Sequence, residues 1–137
     1  MLDTEDKKEY TYCFACGKDN PIGLHLDFHF EGDVFTATYT VPREYQSYDG
    51  VVHGGIISTF LDEAMGGYLH NKGYKGVTAR LNVRFRQPTP VGETVKIMSW
   101  ITAQRGKFID MSATVALLDG TVTAEGTAKM AVVEGEE

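Results

Sequence analysis

The sequence predicts an α+β domain: one long central helix wrapped by a curved, mostly antiparallel sheet of about six strands. Three observations carry this reading. A single segment, residues 54–71, has helical apolar spacing, and Ile56, Ile57, Phe60, Leu61, Ala64, Met65, Tyr68 and Leu69 cover most of its circumference. The other periodic segments alternate with a period of two, as half-buried strands do. Glycine-containing turn signals separate them in the order β-β-α-β-β-β-β. A helix that is apolar nearly all round must be enclosed, so the sheet has to curl about it.

Each element can be justified in turn. Residues 1–12 read as a polar N-terminal tail, and residues 13–133 as one domain, the number that a chain of 137 residues supports. "YCFACGKDNPIG" is rich in turn residues. "LHLDFHF" sets Leu24, Leu26, Phe28 and Phe30 against His25, Asp27 and His29, which predicts a strand over 24–30. "EGD" turns it into "VFTATYTV", completing a hairpin. The helix follows the loop at 42–52 and closes at Asn71 and Gly73. In "GVTARLNVRFRQP", Ala79, Leu81, Val83 and Phe85 fall on one face and Arg80, Asn82, Arg84 and Arg86 on the other. Three long strands complete the chain, joined at Arg105–Gly106 and Asp119–Gly120.

Thirteen Lys and Arg against nineteen Asp and Glu give a net charge of −6 without a basic block. That argues against nucleic acid, whose phosphates need clustered cations. No apolar run is long enough to span a bilayer, and the polar N-terminus lacks a signal core, so a cytoplasmic protein is expected. Cys13 and Cys16 are too few and too close for a disulfide framework. With His25 and His29 they imitate a zinc finger. Four residues of strand, however, span roughly 13 Å, whereas two ligands of one zinc must each lie about 2 Å from it. No metal and no cofactor are therefore expected.

The chemistry concentrates in "VVHGGIISTFLDEAMGG", residues 51–67. The first N–H groups of a helix lack partners and lie at the positive end of its dipole. Glycines there let a ligand oxygen approach without meeting a Cβ. Gly54 and Gly55 stand at that end, with His53 as the cap. Asp62 is flanked on its helix face by Gly55, Ser58, Thr59, Met65 and Gly66, four of them small, which suits either a ligand or close packing. Glu63, one position on, is rotated 100° away.

"GVVHGGIISTFLDEA" at 50–64, followed by "LNVRFRQPTPVGE" at 81–93, resembles the hotdog-fold acyl-CoA thioesterases of the PaaI type, and "CFACGKDNPIGL" is similar to the opening of one branch of that family. The resemblance covers about residues 13–133. It implies a homodimer, pairing again to a tetramer in many members, with the active site at the dimer interface. It implies hydrolysis of acyl-CoA, with Asp62 as nucleophile or general base and the Gly54 N–H polarising the thioester carbonyl. His53 matches the motif histidine, and Thr78 the orienting hydroxyl supplied by the other subunit. Gly55, with Gln46 or Ser47 in the preceding loop, would line the substrate. Arg80 and Arg84 suit either a solvated strand face or the phosphates of coenzyme A. The alternative is a hotdog module that binds acyl-CoA without turning it over. The co-occurrence of Asp62, Gly54 and Thr78 favours the enzyme.

Overall fold

The computed structural model describes residues 10–133. The chain forms strands β1 (His29–Glu31) and β2 (Val34–Thr40), helix α1 (Gly54–Asn71), then β3 (Gly76–Phe85), β4 (Thr94–Arg105), β5 (Phe108–Leu117) and β6 (Val122–Val132). The strands build one six-stranded sheet in the order β1-β2-β4-β5-β6-β3, and every pairing is antiparallel. This is the expected order, with the helix crossing the concave face. Gly32, Gly106 and Gly120 take positive φ at the hairpin tips, as tight reversals require.

Helix α1 packs its Ile57, Phe60, Leu61, Ala64, Met65 and Leu69 against buried residues of β4, β5 and β6. The buried Ser99 hydroxyl of β4 donates to the Ala64 carbonyl at 2.6 Å, pinning the middle of the helix to the sheet. The helix ends where Gly73 turns left-handed at φ 90°. There the Tyr74 and Gly73 N–H groups bond the Leu69 and His70 carbonyls, a Schellman closure.

Two expectations need correction. The strand predicted over 24–30 pairs only from His29. Upstream, the Leu24 and Leu26 N–H groups bond the Phe14 and Ala15 carbonyls instead, and His25 interrupts the extension with φ 59°. Leu24 and Leu26 are nevertheless buried, so the burial side of the pattern survives. In β3, the register against β6 shifts between Thr78 and Arg80. This bulge at Ala79 reverses the alternation: Thr78 joins the inward set with Leu81 and Val83, while Ala79 does not, and Phe85 is 55% exposed. Tyr10 packs on His70, and the Thr11 and Tyr12 carbonyls accept bonds from Asp19 and Asn20. The rest of the tail lies outside the described residues.

Candidate active site

The Thr78 hydroxyl donates to Asp62 Oδ1 at 2.8 Å. Both residues belong to the same chain, because α1 leads through a short connection into β3 and the Ala79 bulge turns Thr78 toward the helix. The expectation that Thr78 reaches Asp62 from a second subunit is therefore corrected. Thr78 Oγ1 also touches Met130 Sδ at 3.7 Å, and both residues are held by the β3–β6 ladder. The carboxylate is thus oriented through one oxygen, and no hydrogen bond within the chain claims Oδ2 among the described residues. Asp62, Gly55 and Thr59 lie on the part of α1 that the sheet leaves open.

At the N-terminus of α1, His53 is the cap residue. Its Nδ1 accepts from the Gly55 N–H at 2.9 Å, which places the proton of the neutral ring on Nε2. The Gly55 N–H is thereby engaged inside the chain. The Gly54 N–H has no acceptor among the described residues. A Cβ at Gly54 would lie 3.4 Å from the Phe85 ring, so that ring walls one side of the exposed donor. His53 acts on the helix end rather than on Asp62.

The loop residues serve local structure. Gln46 Oε1 accepts from the Gly50 N–H at 3.1 Å, and the Ser47 hydroxyl donates to the Val51 carbonyl at 3.4 Å. Bridges from Gln46 to Val52 and from Val51 to Pro90 hold the loop that delivers His53. Arg80 and Arg84 alternate with the inward Leu81 and Val83, so they face away from Asp62. Arg84 lines a shallow concavity of about 330 Å³ on the outer sheet face with Trp100, Ser112, Thr114 and Glu125. Within one chain, neither arginine joins the Asp62 group.

Sequence reasoning set Glu63 aside. It is turned from Asp62 toward the Cys13–Cys16 loop, and burial raises its carboxyl above the usual range. Contact with Cys16 opposes that rise, and the Asp62 charge adds to it. The signal that could have found this side chain is an acid within an otherwise apolar helix, close in space to a two-cysteine turn.

A helix enclosed by a single antiparallel sheet, with an oriented carboxylate on its open face, defines a hotdog-fold domain. The chain belongs to the thioesterase superfamily, whose family model matches residues 49–124, more than half of its length. Mouse acyl-coenzyme A thioesterase THEM4 is 30% identical over 93 residues, 67% of this chain but 40% of the mouse protein. The chain thus spans less than half of that relative. The thioesterase superfamily protein RHA08564 superposes with a TM-score of 0.85 at 24% identity, covering 95% of this chain and 64% of that one. Escherichia coli PaaI, from the phenylacetic acid degradation operon, gives 0.76 at 18% identity over 82% of this chain and 83% of its own. A Streptococcus pneumoniae hypothetical thioesterase, solved with coenzyme A, gives 0.75 at 19% over 82% and 88%.

Proposed function

We propose that the chain hydrolyses acyl-CoA thioesters at a site shared between two copies of itself. The hydrogen bond from Thr78 to Asp62 Oδ1 on the open face of α1 carries this reading. A carboxylate held through one oxygen presents the other in a defined direction, as a general base or nucleophile requires. The Gly54 N–H supplies the complementary part, a donor at the positive end of a helix dipole for the oxygen that becomes anionic. Eight helical residues advance about 12 Å, too far for Asp62 and Gly54 of one chain to meet at one carbonyl. The pair must then come from different chains.

In the base form, Asp62 Oδ2 takes a proton from water as its oxygen bonds to the acyl carbon. The carbonyl oxygen takes up the electron pair beside the Gly54 N–H. Collapse of this intermediate expels the thiolate of coenzyme A, which recovers the proton. In the nucleophile form, Asp62 bonds to the acyl carbon first and the C–S bond breaks, releasing the thiolate of coenzyme A; water then cleaves the resulting anhydride, giving the free acid and restoring the Asp62 carboxylate, while the proton that water gives up goes to the thiolate. The family resemblance and the coenzyme A-bound neighbour support the substrate class.

The open edge of β3 suits the dimer. Val77, 52% exposed, and Phe85 lie along it, and an unpaired strand edge is a template for a second strand. The test is steady-state thiol release from a panel of acyl-CoAs by wild type and Asp62→Asn. The amide preserves shape and removes the base, so turnover should fall about a hundredfold or more, with KM little changed. Wild-type turnover in Asp62→Asn would transfer the chain to the non-catalytic binding class.

A further inference from the structure

We propose that Cys13, Cys16 and Glu63 form a binding site for one divalent transition-metal ion, zinc by the chemistry of the donor set, which fastens the N-terminal loop to the helix bearing Asp62. The two sulfurs and a Glu63 carboxylate oxygen all lie within 4.8 Å of one another. Tetrahedral zinc holds thiolate at about 2.3 Å and carboxylate at about 2.0–2.2 Å, which sets its ligand atoms roughly 3.5–3.8 Å apart. Side-chain rotations of about 1 Å therefore close the triangle. Water would complete a fourth position.

The loop is built to bring its two sulfurs together. The Gly17 N–H bonds the Cys13 carbonyl at 2.8 Å. A Cβ at Gly17 would meet the Cys13 backbone nitrogen at 2.3 Å and the Thr11 carbonyl oxygen at 2.5 Å, so only glycine permits this turn. Ala15, between the cysteines, is buried, and its carbonyl accepts from the Leu26 N–H at 2.9 Å. The loop is thus anchored on both flanks before any ion arrives.

Glu63 supplies the third donor from a separate element. Gly67, one helical turn on, leaves its carboxylate room: a Cβ there would sit 3.3 Å from Oε2. No cation pairs with Glu63 among the described residues. Its partner is the Cys16 thiol, a weak donor for a half-buried acid. A divalent ion would neutralise the carboxylate and displace the thiol protons to solvent. Two thiolates and a carboxylate suit zinc, which accepts sulfur and oxygen together. The histidines that obscured this site in the sequence are engaged elsewhere, His25 with the Asn20 carbonyl at 2.7 Å and His29 with Glu31 at 2.9 Å. The expectation of no metal came from testing those histidines as the remaining ligands.

The test uses the full chain, reduced with a phosphine, stripped with a chelator, and titrated with Co²⁺ and then Zn²⁺. One equivalent of Co²⁺ should produce a thiolate-to-metal charge-transfer band, and Zn²⁺ should abolish it. Cys13→Ser and Cys16→Ser should each weaken that band and lower affinity. Glu63→Gln should keep it but bind on the order of a hundredfold or more weaker, since even outer-sphere changes cost about 10–100-fold. Circular dichroism of each stripped variant reports its folding independently of the metal. The proposal is overturned if reduced wild type, with two alkylatable thiols, gives no band at micromolar metal. It is equally overturned if folded Glu63→Gln binds as tightly as wild type.

Discussion

Gly54→Pro separates the chemistry of the helix end from its structure. Proline is favoured at the first position of a helix because the N–H it lacks has no intrahelical partner there. The Gly54 N–H has no acceptor among the described residues. His53, at φ −61° and ψ 135°, already has the extended conformation that a residue before proline adopts. The new Cβ would meet the Phe85 ring at 3.4 Å, an ordinary contact. The cap from Gly55 to His53 Nδ1 is untouched. The fold should therefore lose little, while the site loses its oxyanion donor. Loss of one such donor costs about 2.7–4 kcal/mol, or about 10²–10³ in kcat. Thermal unfolding and thiol release measured on the same samples would show a nearly unchanged midpoint with turnover reduced by that factor. Gly54→Ala retains the N–H but sets a Cβ beside it, so its turnover should fall less than that of Gly54→Pro. Mixing Gly54→Pro chains with Asp62→Asn chains after subunit exchange adds the geometric test. Each heterodimer has one intact site, so random pairing should restore about a quarter of wild-type activity. A folded Gly54→Pro dimer with wild-type turnover would refute the donor role. Failure of exchanged heterodimers to regain activity would refute the placement of Gly54 and Asp62 on different chains.

Thr78→Val keeps the β-branched shape but removes the donor to Asp62 Oδ1; at about 1.5–3 kcal/mol for a hydrogen bond to a charged group, kcat should fall roughly ten- to a hundredfold, and Thr78→Ser should recover most of it. Val77→Glu places like charges along the open edge of β3, so sedimentation should show monomer and thiol release should vanish with the dimer. The Thr121 backbone N–H donates to Asp119 Oδ1 at 2.9 Å and lowers that carboxyl below its usual range. Its stabilisation is thus present above the unfolded carboxyl pKa and lost as pH falls through the lower folded value. The melting-temperature difference between wild type and Asp119→Ala should accordingly be full at neutral pH and shrink in strong acid.

Local patterns made much of this protein legible. Apolar spacing located α1 at residues 54–71 because a buried helix writes its burial onto its own sequence. Gly106 and Gly120 marked the two long hairpins because positive φ is a local demand. Gly54 and Asp62 could be singled out by residue type and spacing, together with the family resemblance. Three other features depended on distant parts of the chain. The bulge at Ala79 is set by pairing with β6, and by reversing the alternation it brings Thr78 to Asp62 of its own chain. The strand expected from residue 24 gave its first N–H groups to Phe14 and Ala15, because the cysteine loop docks there. Glu63 meets Cys13 and Cys16 only because that loop packs over the helix, a contact across some fifty residues of chain. Periodicity records which face of an element is buried. It does not record which distant element covers that face, and this is decided by how the sheet and loop close around the helix.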